Sequence, residues 1–249
     1  MTVDGEQDVA GLQLAGRAVA AARDAMLAAV EPGMSTGALD ALGREVLHAH
    51  GARSAPQLAY DFPGTTCISV NHEAAHGIPS AHRVLRAGDV LNSDVSAELD
   101  GYWADTGASF AAGQASARDL ELLSATRKAL AAGMHQARAG NTLRDIGRAV
   151  EQHAQRAGFA VVRNLCGHGV GRFIHEPPNV PNTKAEGTRM RLWEGLVITI
   201  EPFLTTGATT YYEGDDGWTL RTPDGSRGAQ FEHTMVITKG EPIVLTLAA

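Results

Sequence analysis

The chain has 249 residues, 44% of them hydrophobic and 20% charged, so a large core can form and wholesale disorder is excluded. Its 28 acidic against 21 basic residues give a formal charge of −7, which argues against a charge-driven grip on nucleic acid. No apolar run reaches the length of a membrane span, the acidic start MTVDGEQDVAG lacks the layout of a secretory signal, and two cysteines, Cys67 and Cys166, fit a reducing, cytoplasmic setting.

Residues 1–7 are expected to be loose. Residues 8–30 carry Ala and Leu at helical spacing and stop before Glu31-Pro32-Gly33. Ser35 reads as the N-cap of a second helix that closes at His50 and Gly51. The β-branched run TTCISV, residues 65–70, reads as a strand. Residues 90–110 read as a hairpin turning at Leu99-Asp100-Gly101. Helices return over 115–138 and 142–157, the second capped by Asn141 or Thr142. Strand-like segments follow at 159–163, 195–200, 208–212, 218–221, 229–238 and 242–247. The order helix, helix, strands therefore occurs twice, an α+β pattern. With no Pro/Gly/Ser-rich linker, 1–249 reads as one domain with halves at about 8–114 and 115–249. The halves are related in fold rather than by a residue repeat.

The chemistry begins with carboxylates that lack a cation. Asp94 and Asp105 flank the hairpin turn and read as cross-strand neighbours on one face. Like charges facing across strands repel, and burial makes this worse. No Lys or Arg lies in the hairpin between residues 87 and 117. Either the two aspartates are solvated, or a cation comes from outside. Glu201 ends the apolar run GLVITIEP, Glu232 lies inside AQFEHTMVIT, and His168 stands among glycines in CGHGVG. Taken singly, each has an ordinary structural reading. Taken together, four carboxylates and one imidazole balance two divalent ions of the Mn, Fe, Co or Zn kind, and a two-metal site points to hydrolysis.

The motifs SVN, AHGIP, NSDV, GYWADTGASF, CGHGVGRFIHEPPNV, ITIEPF, DDGWTLRT and QFEHTMVIT stand in one order along most of the chain. On these the sequence resembles type I methionine aminopeptidases, of the pita-bread fold: two pseudo-symmetric halves of helices on a curved, mainly antiparallel sheet. The resemblance implies that Asp94 ligates one metal, Asp105 and Glu232 bridge two, and His168 and Glu201 complete the other site. It implies removal of the initiator methionine through a hydroxide bridging the two ions, with Glu201 as general base and then acid. His76 and His175 would hydrogen-bond the substrate and its transition state. Phe62, Cys67, Ile174 and Trp218 would shape the methionine pocket. N-terminal peptides, including nascent chains at the ribosome, are the implied substrates, and a monomer without nucleic-acid or membrane partners is the implied form. Prolidase-type relatives usually carry a further N-terminal domain, whereas this chain is expected to start at its first helix.

The pocket departs from the family pattern. Ala59 stands where a tyrosine is common, and the usual Gly-Phe-His becomes Phe173-Ile174-His175. Ile174 for Phe and Ala59 for Tyr each remove a ring and change the pocket's shape, so the preferred first residue could shift, with a specialised peptide substrate as the alternative. A non-enzymatic binding module is disfavoured because all five ligands and both histidines are present. Residues 72–76 read His-Glu-Ala-Ala-His, but that zinc motif needs a helix, and Gly77-Ile78-Pro79 cuts it short. His72 and Glu73 are read as rim residues instead. His233 should face away from Glu232 and carries no role.

Overall fold

A computed structural model describes residues 1–184 and 189–247. Helix α1 (Glu6–Ala29) and helix α2 (Thr36–Ala49) come first. Ser35 caps α2 by accepting from the Ala38 N–H, as its sequence position predicts. Helix α3 (Ala55–Tyr60) is a short element absent from the sequence reading; Ser54 caps it, and Pro56 sits in its first turn. Helix α4 (Ala117–Gln136) and helix α5 (Leu143–Arg156) open the second half. Asp145 accepts from the Thr142 N–H, so Thr142 rather than Asn141 is the cap.

In the first half the long hairpin Val90–Leu99 and Tyr102–Ala111 pairs in register from Val90↔Ala111 to Leu99↔Tyr102. Asp100 and Gly101 both take positive φ, the two-residue turn that matches strand twist. Cys67–Val70 and Arg53–Ser54 add to the other edge of Val90–Leu99. Leu12, Ala15, Ala18, Val19, Ala22 and Met26 of α1 are buried. Most of them form the core of this half with Ile68, Leu91, Val95 and Phe110. The small alanines let α1 lie close on the sheet.

In the second half a five-stranded sheet runs in the order Ile243–Val244, His233–Val236, Val197–Ile200, Cys166–Gly169, Glu176–Pro181. A smaller sheet joins Gly228–Gln230, Phe203–Thr205 and Ala160–Val161. Leu130 of α4 and Ile146 of α5 pack with Ile198, Ile200 and Met235. The expected α+β, pita-bread architecture is the one observed. Among the described residues no helix is long and apolar enough to cross a membrane.

Two expectations are corrected and a third is met. Residues 1–3 are not loose: the Val3 N–H donates to Gly195 O, the Val197 N–H to Met1 O, and Met1 and Val3 pack against Val170 and Ile174. Pairing and apolar burial tie down a terminus that composition alone leaves free. The segment 229–238 is not one strand. It breaks at Phe231-Glu232 and passes from the small sheet to the large one. As the sequence predicts, His-Glu-Ala-Ala-His is not helical: Glu73–Ala75 is a strand, and His76 takes φ 54 just after it. The Glu73 carboxylate accepts from the Val70 N–H at 2.9 Å, a local structural bond.

Candidate metal centre and substrate pocket

His168, Glu201 and Glu232 sit where a strand breaks or shifts register, whereas Asp94 and Asp105 lie inside the long hairpin. In the hairpin, Asp94 faces Gly107 and Asp105 faces Ser96. The aspartates are therefore diagonal rather than directly opposite, but share a face because side chains alternate with period two. Glu201 follows Val197–Ile200 at the break before Phe203–Thr205, and Glu232 occupies the matching break in the neighbouring strand. The two halves meet here. The Glu232 N–H donates to Gly107 O at 2.8 Å. Thr234 accepts from the Asp105 N–H and donates back to Asp105 O.

His168 lies on Cys166–Gly169, a strand squeezed between neighbours. A Cβ on Gly167 would fall 2.5 Å from Thr199 O, and one on Gly169 would fall 2.2 Å from Pro177 O. The glycines around His168 thus serve close backbone packing. Its ring Nδ1 meets Gly169 O at 2.9 Å, which leaves Nε2 to face the acids. That nitrogen lies 3.6 Å from both Asp105 Oδ2 and Glu201 Oε1. Gly167→Ala is expected to cost about 1–3 kcal/mol by overpacking. It should also weaken metal binding by about 10–100-fold, as loss of ligand support does. A thermal melt and a metal titration check this, and unchanged values for both would exclude the packing role.

The donor set fits a divalent metal. Asp105, His168 and Glu232 each offer one ligand atom within 4.8 Å of the others, and all three are buried. Asp105 Oδ1 and Glu232 Oε1 are buried without a hydrogen-bond partner. Buried oxygens left bare in this way need a cation or a proton. Among the described residues no Lys or Arg forms an ion pair with Asp94, Asp105, Glu201 or Glu232. Protons therefore fill the role in the metal-free protein. Burial and the Asp105 charge push Asp94 and Glu232 well above the carboxylate range. Burial lifts Glu201 to about 8, against the opposing charge of His168. Burial would also raise Asp105, but His168, His175 and a hydrogen bond from Asp94 hold it low. His168 is raised despite burial, because Asp105 and Glu201 stabilise its charged form.

Two cavities open on this cluster. One, of about 580 Å³, includes His76, Asn164, Cys166, His175 and Phe203 beside Asp94, Asp105, His168 and Glu201. The other, of about 240 Å³, is more apolar: Phe62, Cys67, Ile174 and Trp218 line it with His76, Asp94, Asp105 and His175. Every residue that the sequence reading named for substrate or catalysis thus reaches one of the two. Cys67 does so because it pairs with Asp94 across the sheet. Phe62 and Trp218 meet edge to face, with centroids 5.1 Å apart. His175 is pushed down to about 4 and His76 is also lowered, each chiefly by burial, so both are neutral hydrogen-bonding groups near pH 7. His233 bonds Thr246 instead, at 2.8 Å, and stays out of the cluster.

Three participants escaped the sequence reading. Gln230 donates to Glu232 Oε2 at 3.0 Å and accepts from Asn92, in the space that Gly107 leaves open. Thr199 donates to Glu201 and accepts from the His168 N–H. Its two-residue spacing from Glu201 on one strand was a usable signal. Tyr60, at the end of α3, supplies a ring to the apolar pocket beside the position where Ala59 lacks one.

The chain as a whole is matched in known proteins. The model of metallopeptidase family M24 covers residues 10–239. The chain belongs to metallopeptidase family M24. It is 50% identical to methionine aminopeptidase 2 of Bacillus subtilis over 247 residues, spanning 99% of each chain. The solved methionine aminopeptidase of Rickettsia prowazekii superposes with a TM-score of 0.94 at 36% identity, covering 99% of this chain and 100% of that one. That of Thermotoga maritima gives 0.95 at 32%, with 99% of each covered. The resemblance read from the motifs is borne out by these matches, and family membership implies use of a divalent metal.

Proposed function

We propose that this chain hydrolyses the first peptide bond of polypeptides that begin with methionine, the initiator methionine of new proteins being the natural case. The observation that carries this reading is an apolar pocket of methionine-like character opening directly on a buried, cation-demanding acid cluster. Asp94, Asp105, His168, Glu201 and Glu232 would hold two divalent ions, with the four carboxylates balancing their charge. When bound, such ions activate water and polarise a carbonyl.

The chain's own residues supply the rest. Phe62, Cys67, Ile174 and Trp218 take up the first side chain. Neutral His76 and His175 donate to the scissile carbonyl and to the charge that develops on its oxygen. Glu201 accepts a proton from the attacking water and returns it to the departing amine. The larger, more polar cavity receives the peptide beyond the cut. A monomer acting on nascent chains in the cytoplasm, folded as one domain of two halves, is the form we propose.

The test is release of the first residue from X-Ala-Ser peptides, with X as Met, Leu, Ala, Phe or Pro. Each is assayed after chelation and with Co, Mn, Fe or Zn restored. Met is expected to be released well above the others, and only with metal. A pocket separates side chains differing by a methylene by about 10–200-fold. Metal-dependent release of another residue, with Met poor, would overturn the methionine assignment. No release despite two bound metals would overturn the exopeptidase reading.

A further inference from the structure

We propose that Tyr60 is a positioning residue that fixes the ring plane and tautomer of His175, a role that rests on the reading of His175 as a donor to the substrate carbonyl. Helix α3 stops at Tyr60 because Asp61 takes the left-handed conformation, with φ 56. The Tyr60 hydroxyl then meets His175 Nδ1 at 2.5 Å, with the rings 5.5 Å apart and tilted by 36°. The other flank of the imidazole is closed by His168, at 4.3 Å between centroids.

Tyr60 is itself braced. Phe173 stands edge-on to it at 6.4 Å and lies 5.2 Å from Trp103. Phe173 is held in turn through its backbone N–H, which donates to Glu176 Oε1 at 2.7 Å. The two departures noted in the sequence are therefore one arrangement. The ring missing at Ala59 is carried by Tyr60, and the unusual Phe173 supports that ring.

The tautomer follows from acidity. A phenol is a better proton donor than a neutral imidazole N–H, and 2.5 Å suits an O–H donor more than an N–H donor. Tyr60 donates to Nδ1, so the imidazole proton sits on Nε2, the nitrogen left free to face the cavities. A neutral imidazole with its N–H aimed at a carbonyl stabilises negative charge there without needing to be protonated first.

The test is Tyr60→Phe, which keeps the ring and removes the hydroxyl. Nitrogen-15 NMR of histidine-labelled protein, with His175 assigned through a His175→Gln variant, reads the tautomer in the metal-free state. The parent is expected to show the Nε2–H form at His175, and Tyr60→Phe a mixture of both forms. With metal restored, kcat on Met-Ala-Ser is expected to fall about three- to tenfold, the scale of one hydrogen bond, while KM moves less. Equal melting temperatures would separate this from unfolding. An unchanged tautomer and unchanged kcat in a variant of an active parent would overturn the role of Tyr60. A shifted tautomer in a protein that releases no methionine would instead overturn the aminopeptidase reading and leave the clamp standing.

Discussion

Glu232→Gln is expected to abolish turnover of Met-Ala-Ser, by a factor on the order of 10³ or more, while making the metal-free protein more stable. The two effects share one cause. Glu232 is 1% exposed and has one oxygen without a partner. Its pKa is pushed well up by burial and by the Asp105 charge. A glutamine of the same shape keeps the bond from Gln230 through its carbonyl oxygen. Its amide N–H can turn toward Asp105, whose Oδ1 is also bare. Removing an unsatisfied buried group is worth about 1–3 kcal/mol. That corresponds to about 2–4 °C per kcal/mol in a chain of this length. The amide cannot supply the negative charge that a divalent ion requires, so binding and catalysis fail together. Calorimetry of chelated protein, metal analysis and the peptide assay check the two halves. A variant that melts lower without metal, or that retains turnover, would refute the assignment.

The metal-free protein is expected to lose stability as pH rises from 6.5 to 8, and added divalent metal to restore more at pH 8 than at 6.5. The sign follows from which state holds more protons. Glu201 keeps its proton to about 8 when folded, against an ordinary value of 4.5. Between those values the folded chain binds the extra proton, so stability falls as pH rises. Asp94, Glu232 and His168 are raised too and act in the same direction. Asp105 is lowered, and its effect lies below pH 4. His175 and His233, both near 4, and the lowered His76 oppose the trend, mainly below about 6.5 and with a fading effect above it. Above 6.5 the buried acids dominate, and Glu201 alone contributes about 1–2 kcal/mol over that window. Metal binding displaces these protons, so its stabilisation grows with pH. Thermal melts with and without chelator at both pH values decide the matter. A chelated protein that melts higher at pH 8, or a metal shift equal at both, would contradict the reading.

The candidate site was legible in the sequence to an unusual degree because its residues defy their surroundings. Asp94 and Asp105 lie in apolar strands without a local cation, and Glu201 and Glu232 close or interrupt β-branched runs. Such placements are costly, and cost is visible in a pattern. Gln230 was not legible, because a buried amide in a strand is common and carries no comparable penalty until its partner is known, and Thr199 offered only its two-residue spacing from Glu201. Tyr60 was missed for a related reason: α3 has only six residues, too few for a periodic signal.

Sequence by itself determined the α+β order of helices and strands, the Asp-Gly hairpin, the Ser35 cap and the list of acids that must find a counter-charge. These rest on local periodicity, turn chemistry and the cost of burying charge, all of which act over a few residues. Only the tertiary structure decided that Asp94 and Asp105 sit diagonally, that residues 229–238 break at Glu232, that residues 1–3 are pinned beside Gly195, and that Tyr60 reaches His175. Each of those depends on which strand lies next to which. Pairing between segments far apart in the chain follows from the packing of both halves together, and no local stretch encodes it.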